Sequence, residues 1–206
     1  EDGNTKEEGP VFVSWADAGL KDEPLAFSED VTESIRINHN IDGEGAIMLS
    51  ELWERTGLVV YATVTDEDVK IIGRLTNLTS LELKLQNASD ISALANLTNL
   101  EKLQLSDLQS GDISPLANLT NLKELDASYC QISDITPLAN LTKLEYLDLV
   151  HNQISDIGPL ENLTKLRVVR LGSNQISDIS ALENLTSLEN INLLGNNISD
   201  ISALAG

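Results

Sequence analysis

Cys130 stands beside Tyr129 and two residues after Ser128 in the stretch "YCQISD", and it is the only cysteine among 206 residues. A thiol in that company suggests a nucleophile. Nucleophilic catalysis, however, needs a general base within hydrogen-bond reach, and neither histidine, His39 or His151, has an Asp, His or Cys cluster at ligand or triad spacing. "NHNIDGEG", Asn38 to Gly45, is the next candidate: Asn38, Asn40 and Asp42 followed by Gly43 follow the oxygen spacing of a calcium loop. Such a loop closes on a bidentate Glu at its twelfth position. Here that position is Leu49, with Glu51 two residues late, so a turn is expected rather than a cation site. No catalytic residue, no metal site and no cofactor are expected, and the chain is read as a non-enzyme.

Two further columns look chemical until their regularity is noticed. Asn-Leu-Thr sequons recur at Asn77, Asn96, Asn118, Asn140, Asn162 and Asn184, and aspartates at Asp90, Asp112, Asp134, Asp156, Asp178 and Asp200. The aspartates step by 22 residues throughout, and the sequons do so from Asn96 onward, which makes both columns structural: turn residues and helix-start residues rather than glycan acceptors or a calcium ladder. The elements behind them are repeats. Leu94, Leu116, Leu138, Leu160, Leu182 and Leu204 are each 22 apart, and six units begin at Ile72, Leu94, Leu116, Leu138, Leu160 and Leu182. The cleanest copies carry the pattern L-x-x-L-x-L-x-x-N-x-I, best seen in "LANLTKLEYLDLVHNQISDIGP" from Leu138.

In that pattern the L-x-L pair turns two side chains inward from a short strand while the residues between face outward. The return segment, with Ser114-Pro115 and Thr136-Pro137, reads as a hydroxyl N-cap followed by proline at the first helical position. Twenty-two residues leave room only for a 3₁₀ or single-turn helix there. Stacking the units makes one continuous core that no unit could make alone. The ninth position reads Gln86, Leu108, Cys130, Asn152, Asn174 and Asn196, and a turn asparagine in that slot satisfies backbone groups that would otherwise be buried unpaired. Cysteine, small and a weak donor, fits the same slot, so Cys130 is expected to be buried and inert.

Residues 1–10 read as a flexible acidic segment, 11–71 as an N-terminal cap subdomain and 72–206 as the leucine-rich repeat domain. The cap is expected to be helical, from "FSEDVTESIRI" and "LSELWERTGL", with Trp53 in a buried cluster over the first repeat. At the other end "ISALAG" stops where a seventh unit would begin, which fits a last coil covered by a partner or a chain cut from something longer. A net charge of −20 repels phosphate backbones and anionic membrane surfaces, and 3% aromatic content leaves few stacking platforms for bases. Nucleic acid and membrane insertion are therefore excluded as partners, and the chain is expected to be monomeric.

The repeats resemble the internalin family of bacterial surface leucine-rich repeat proteins. The resemblance rests on "ISPLANLTNLKEL" from Ile113 to Leu125 with its neighbouring copies, on the 22-residue spacing, and on the "NQISDI" turns. It covers residues 72–206 strongly and roughly 25–71 more loosely. It implies an α/β solenoid: a right-handed leucine-rich repeat superhelix with a parallel β-sheet on the concave face, short 3₁₀ helices on the convex face and a helical N-terminal cap. It further implies a secreted or wall-attached protein that binds a host or other extracellular protein through the concave sheet. Two alternatives stay open: an intracellular leucine-rich regulatory subunit, and a recognition domain of a larger enzyme or adhesin. Departures are Leu108 and Ser110 in "SDLQSGD" and Gln86 and Ala88 in the first unit.

Outward strand positions are where a repeat protein varies. Aromatic and apolar residues gather there on units three to five: Tyr129, Tyr146, Val150, His151 and Val168, with Asp126, Asp148 and Arg170 running through them. Exposed tyrosine among apolar neighbours with a charged rim is how interface hot spots are composed. These eight residues are the predicted ligand-binding surface.

Overall fold

The computed structural model describes residues 12–13, 35–37, 57–60 and 64–205. They form one parallel sheet whose nine strands lie side by side in chain order: β1 (Phe12–Val13), β2 (Ile35–Ile37), β3 (Gly57–Val60), β4 (Ser80–Lys84), β5 (Lys102–Ser106), β6 (Glu124–Asp126), β7 (Tyr146–Asp148), β8 (Val168–Arg170) and β9 (Asn190–Asn192). From β4 onward every residue pairs with the one 22 positions later, as in Leu81↔Leu103, Leu125↔Leu147 and Leu147↔Val169. The sequence period is thus the register of the ladder.

The sheet also crosses the boundary drawn at residue 72. Ile35 pairs with Leu58 and Gly57 with Ser80, a step of 23, while Phe12 pairs with Arg36, a step of 24. One or two inserted residues per coil hide these strands from a search for a strict period of 22. They also correct the helical reading locally, since both supposed helices run into strands, at Ile35–Ile37 and from Gly57. Trp53 and the Asn38–Gly45 stretch lie outside the described residues.

Among the described residues the convex side carries one α-helix, α1 (Asp66–Ile72), followed by 3₁₀ segments from Ser92, Ser114, Thr136, Gly158, Ser180 and Ser202. α1 opens on a reciprocal cap. Thr65 N–H donates to Asp68 Oδ2 at 2.8 Å and Asp68 N–H to Thr65 Oγ1 at 3.4 Å, which satisfies two amides the helix leaves unpaired. The 3₁₀ segments start differently from the hydroxyl cap expected for them. The residue before each is an isoleucine with no side-chain cap bond, and the acceptor is the aspartate two residues ahead of the start. Asp112 Oδ1 accepts Ser114 N–H and Asp134 Oδ1 accepts Thr136 N–H, both at 2.8 Å. The aspartate column is therefore a row of Asx turns.

These bonds make a pH prediction. Hydrogen bonds from Ser92 and Thr136 hold the Asp90 and Asp134 carboxyls below their ordinary value of 3.8, and those from Ser180 and Ser202 do the same for Asp178 and Asp200. A carboxyl with a depressed folded pKa contributes stability that is complete above its unfolded pKa and is lost as pH falls through the folded value. Replacing these four by Asn keeps an acceptor in each turn but removes the titration. Urea midpoints of the parent should therefore fall more steeply than those of the variant below about pH 4, near the ordinary carboxyl value; parallel curves would show that the turns do not distinguish charge.

Between sheet and convex segments runs a core of leucine and isoleucine columns. Leu94, Leu116, Leu138 and Leu160 are fully buried, as are Leu97, Leu119, Leu141 and Leu163. At about 2 kcal/mol per buried leucine the gross term per coil is large, and chain entropy offsets most of it. The practical consequence is a rigid sheet whose outward side chains are set 22 residues apart in fixed register.

Candidate binding surface on the concave face

Cys130 lies in the asparagine column and copies its geometry. Asn152 Nδ2 donates to the carbonyls 25 and 2 residues earlier, Ala127 at 2.9 Å and Val150 at 3.5 Å. Cys130 Sγ faces the carbonyls at the same offsets, Leu105 at 3.6 Å and Ser128 at 3.3 Å. Its own N–H donates to Asn152 Oδ1 at 3.2 Å. Burial pushes the thiol up to about 11, so roughly one molecule in a thousand is thiolate at pH 8, and the thiolate is the reactive form. Thiol reagents are expected to modify Cys130 only as fast as the protein unfolds; second-order labelling of the native chain at the rate of a free thiol would overturn this. The first unit departs from the column. There the inward alternation of β4 continues to fully buried Leu85, so Leu85 is not an outward residue, while Gln86 is exposed and Ala88 takes the buried turn position.

The eight predicted residues lie on adjacent coils of one sheet face, in two sets. In the first, β7 and β8 pair Tyr146 with Val168 and Asp148 with Arg170. Arg170 Nη1 donates to Tyr146 Oη at 2.9 Å and lies 3.3 Å from Asp148 Oδ2, with its guanidinium 5.5 Å from the Tyr146 ring centre. Tyr146 in turn donates to Asp148 Oδ2 at 3.3 Å. Burial, then the Asp148 carboxylate, pushes the Tyr146 phenol above its ordinary value, so it remains a donor at physiological pH. Asp148, only 8% exposed, also accepts Val150 N–H through Oδ1 at 3.1 Å. Val150 and Val168 are half-buried beside this triad.

In the second set Tyr129 and His151 stack, ring centres 4.4 Å apart with 24° between planes. Tyr129 is 57% exposed. Asp126 holds the turn that leads to it, with Oδ1 accepting Ser128 N–H at 3.0 Å and Ser128 O–H at 2.8 Å. What sequence reasoning missed is the backbone of this column. Asp107, Tyr129, His151, Ser173 and Gly195 all have left-handed φ, between 56° and 75°. The glycine at Gly195 was the one available signal. A bulky residue there costs about 1–2 kcal/mol, and such strain concentrates at functional positions. Tyr129→Gly relieves that strain and gives up a stacking contact worth about 1 kcal/mol. Its urea midpoint is expected to correspond to a stability within about 1 kcal/mol of the parent; a much larger loss would make Tyr129 a fold residue.

The neighbouring concave surface is different in kind. Toward β4 it carries exposed charges already paired, Lys84 with Asp107 at 3.6 Å and Lys102 with Glu124 at 2.9 Å, which contribute little to stability. Toward β9 it carries Leu194, 82% exposed. Among the described residues no group of three His, Cys, Asp or Glu is placed to hold a metal ion, and no helix is long and apolar enough to cross a membrane.

A family model of leucine-rich repeats, in two copies, matches residues 120–162 and 164–206. Among solved structures, an internalin (inlF) from Listeria monocytogenes str. 4b F2365 superposes with a TM-score of 0.69 at 37% identity, over 77% of this chain and 46% of that one. Internalin C2 (inlC2) of the same strain gives 0.69 at 38% identity, over 82% of this chain and 72% of that one. A leucine-rich repeat protein of Leptospira interrogans, at 20% identity and a TM-score of 0.67 over 79% of this chain and 42% of that one, shares the fold. The chain spans about half the length of the first of these and about three quarters of the second. No curated protein matches it.

Proposed function

The chain belongs to the internalin family of leucine-rich repeat proteins, a protein-interaction module by its fold, and on that premise we propose that it is a non-enzymatic, extracellular bacterial binding module. Its partner is a protein, recognised by the concave face of units three to five. The observation that carries the reading is the ordered, part-apolar surface of Tyr129, His151, Tyr146, Val150 and Val168 on a rigid sheet, with Tyr129 exposed on strained backbone. Large side chains held in one geometry lose little entropy on binding. Aromatic anchors of this type carry most of the energy in protein interfaces. The family resemblance supports the secreted or surface location.

The test is capture. The immobilised chain is exposed to candidate extracellular proteins, and the bound fraction is compared with that of a Tyr129→Ala, Tyr146→Ala, Val168→Ala triple variant and of a convex control, Asp156→Asn. A partner that is retained by the control and lost by the triple variant is expected. A partner whose affinity survives the triple variant would move the site off this face.

A further inference from the structure

On the concave face of the third unit the Asp126 carboxylate is only half engaged. Asp126 Oδ1 is engaged by Ser128, while Oδ2 accepts no hydrogen bond and meets no cation among the described residues. Its ladder neighbours do not neutralise it: Asp126 pairs with Gln104 on one side and with Asp148, another carboxylate, on the other. Like charges directly opposite in a sheet are destabilising. Two cations of this face are already paired, Lys102 with Glu124 and Arg170 with Asp148. Three residues further along the same coil stands the Tyr129–His151 stack.

The same face shows what completes such a set. At Tyr146 and Asp148 the protein's own Arg170 lies over the ring and against the carboxylate at once, the arrangement a planar guanidinium suits. The set formed by Asp126, Tyr129 and His151 has the carboxylate and the rings but no guanidinium. We propose that the partner supplies it: an arginine within a protein segment, its guanidinium bonded to Asp126 Oδ2 and packed against Tyr129, flanked by aliphatic side chains that rest on Val150 and Val168. The net charge of −20 draws a basic segment toward the chain. This inference rests on the concave-face reading and names what that face selects.

The probe is the blocked tripeptide acetyl-Leu-Arg-Val-amide, titrated to millimolar concentration into the ¹⁵N-labelled chain, beside its citrulline counterpart, which keeps the shape and loses the charge. Amide shifts are expected to concentrate at Ser128, Tyr129 and Val150, with the citrulline peptide at least tenfold weaker. Asp126→Asn keeps Oδ1 as acceptor for Ser128, so its spectrum should remain that of the folded parent while its affinity for the arginine peptide falls to the citrulline level. Equal binding of the two peptides, an unchanged ratio in Asp126→Asn, or no shift on concave amides would overturn the inference. Equal binding that the triple variant abolishes would remove the arginine and leave the concave-face reading standing; that reading falls on the capture test alone.

Discussion

Replacing Asn152 by alanine is expected to lower the unfolding free energy by about 3 kcal/mol or more, since each buried polar group left unpaired costs about 1–3 kcal/mol. Asn152 is 8% exposed and joins two coils through both ends of its amide. Oδ1 accepts from Cys130 N–H at 3.2 Å and Ile132 N–H at 2.9 Å, while Nδ2 donates to Ala127 O at 2.9 Å and Leu149 O at 3.0 Å. Alanine fills none of these roles, and a water admitted to the gap would recover part of the loss only if it reached most of the same groups. Asn196 makes the corresponding bonds to Ile176 N–H, Leu171 O and Leu193 O, but is part-exposed. Asn196→Ala should therefore cost less, about 1 kcal/mol, because solvent can replace its amide. Urea unfolding of both variants decides the matter. A loss under about 1 kcal/mol for Asn152→Ala would show that the amide ladder is dispensable.

That column was legible because a small side chain with donor or acceptor capacity suits a turn closing over buried backbone, so Asn152, Asn174, Asn196 and Cys130 announce it, whereas Leu108 fills the same slot by burial alone. The leucine columns were legible for the same reason, since each buried position faces its own copy 22 residues on. What was hidden is what the backbone rather than the side chains decides. β1, β2 and β3 pair by hydrogen bonds that are indifferent to side-chain type, so steps of 23 and 24 leave the ladder intact and break only the sequence period. Ser114 and Thr136 resemble caps by type, yet it is their own N–H groups that are held, by Asp112 and Asp134. Leu85 turns inward because the alternation of β4 continues one residue past the strand and shifts the following turn. On the concave face, the spacing brought Tyr146, Asp148, Val168 and Arg170 together correctly. The closing bonds among Tyr146, Asp148 and Arg170, and the left-handed backbone under Tyr129 and His151, are three-dimensional facts with no signature beyond Gly195 in the same column.

The second large effect concerns Tyr146. Its ring is part-buried, it lies under the Arg170 guanidinium, and its hydroxyl bridges Arg170 and Asp148. Tyr146→Ala removes the ring that a partner would cover and also releases Arg170 from one of its two anchors. A central aromatic anchor contributes about 2 kcal/mol or more to a protein interface, which is roughly a thirtyfold loss of affinity at 1.4 kcal/mol per tenfold. Stability should change less than binding. The Asp148–Arg170 contact persists, and Asp148 Oδ1 keeps its bond from Val150 N–H. Tyr146→Phe separates the two contributions: the ring remains and only the hydroxyl bridge is lost, so affinity should fall by a factor of about three to ten, on the scale of a single hydrogen bond. Affinities for the captured partner, set beside urea midpoints of the same variants, provide the comparison. If Tyr146→Ala and Tyr146→Phe weaken binding equally, the hydroxyl bridge that orients Arg170 is what the partner reads; if neither does, β7 lies outside the interface. With the ring as anchor, the order of affinity is parent, then Phe, then Ala, at nearly constant stability.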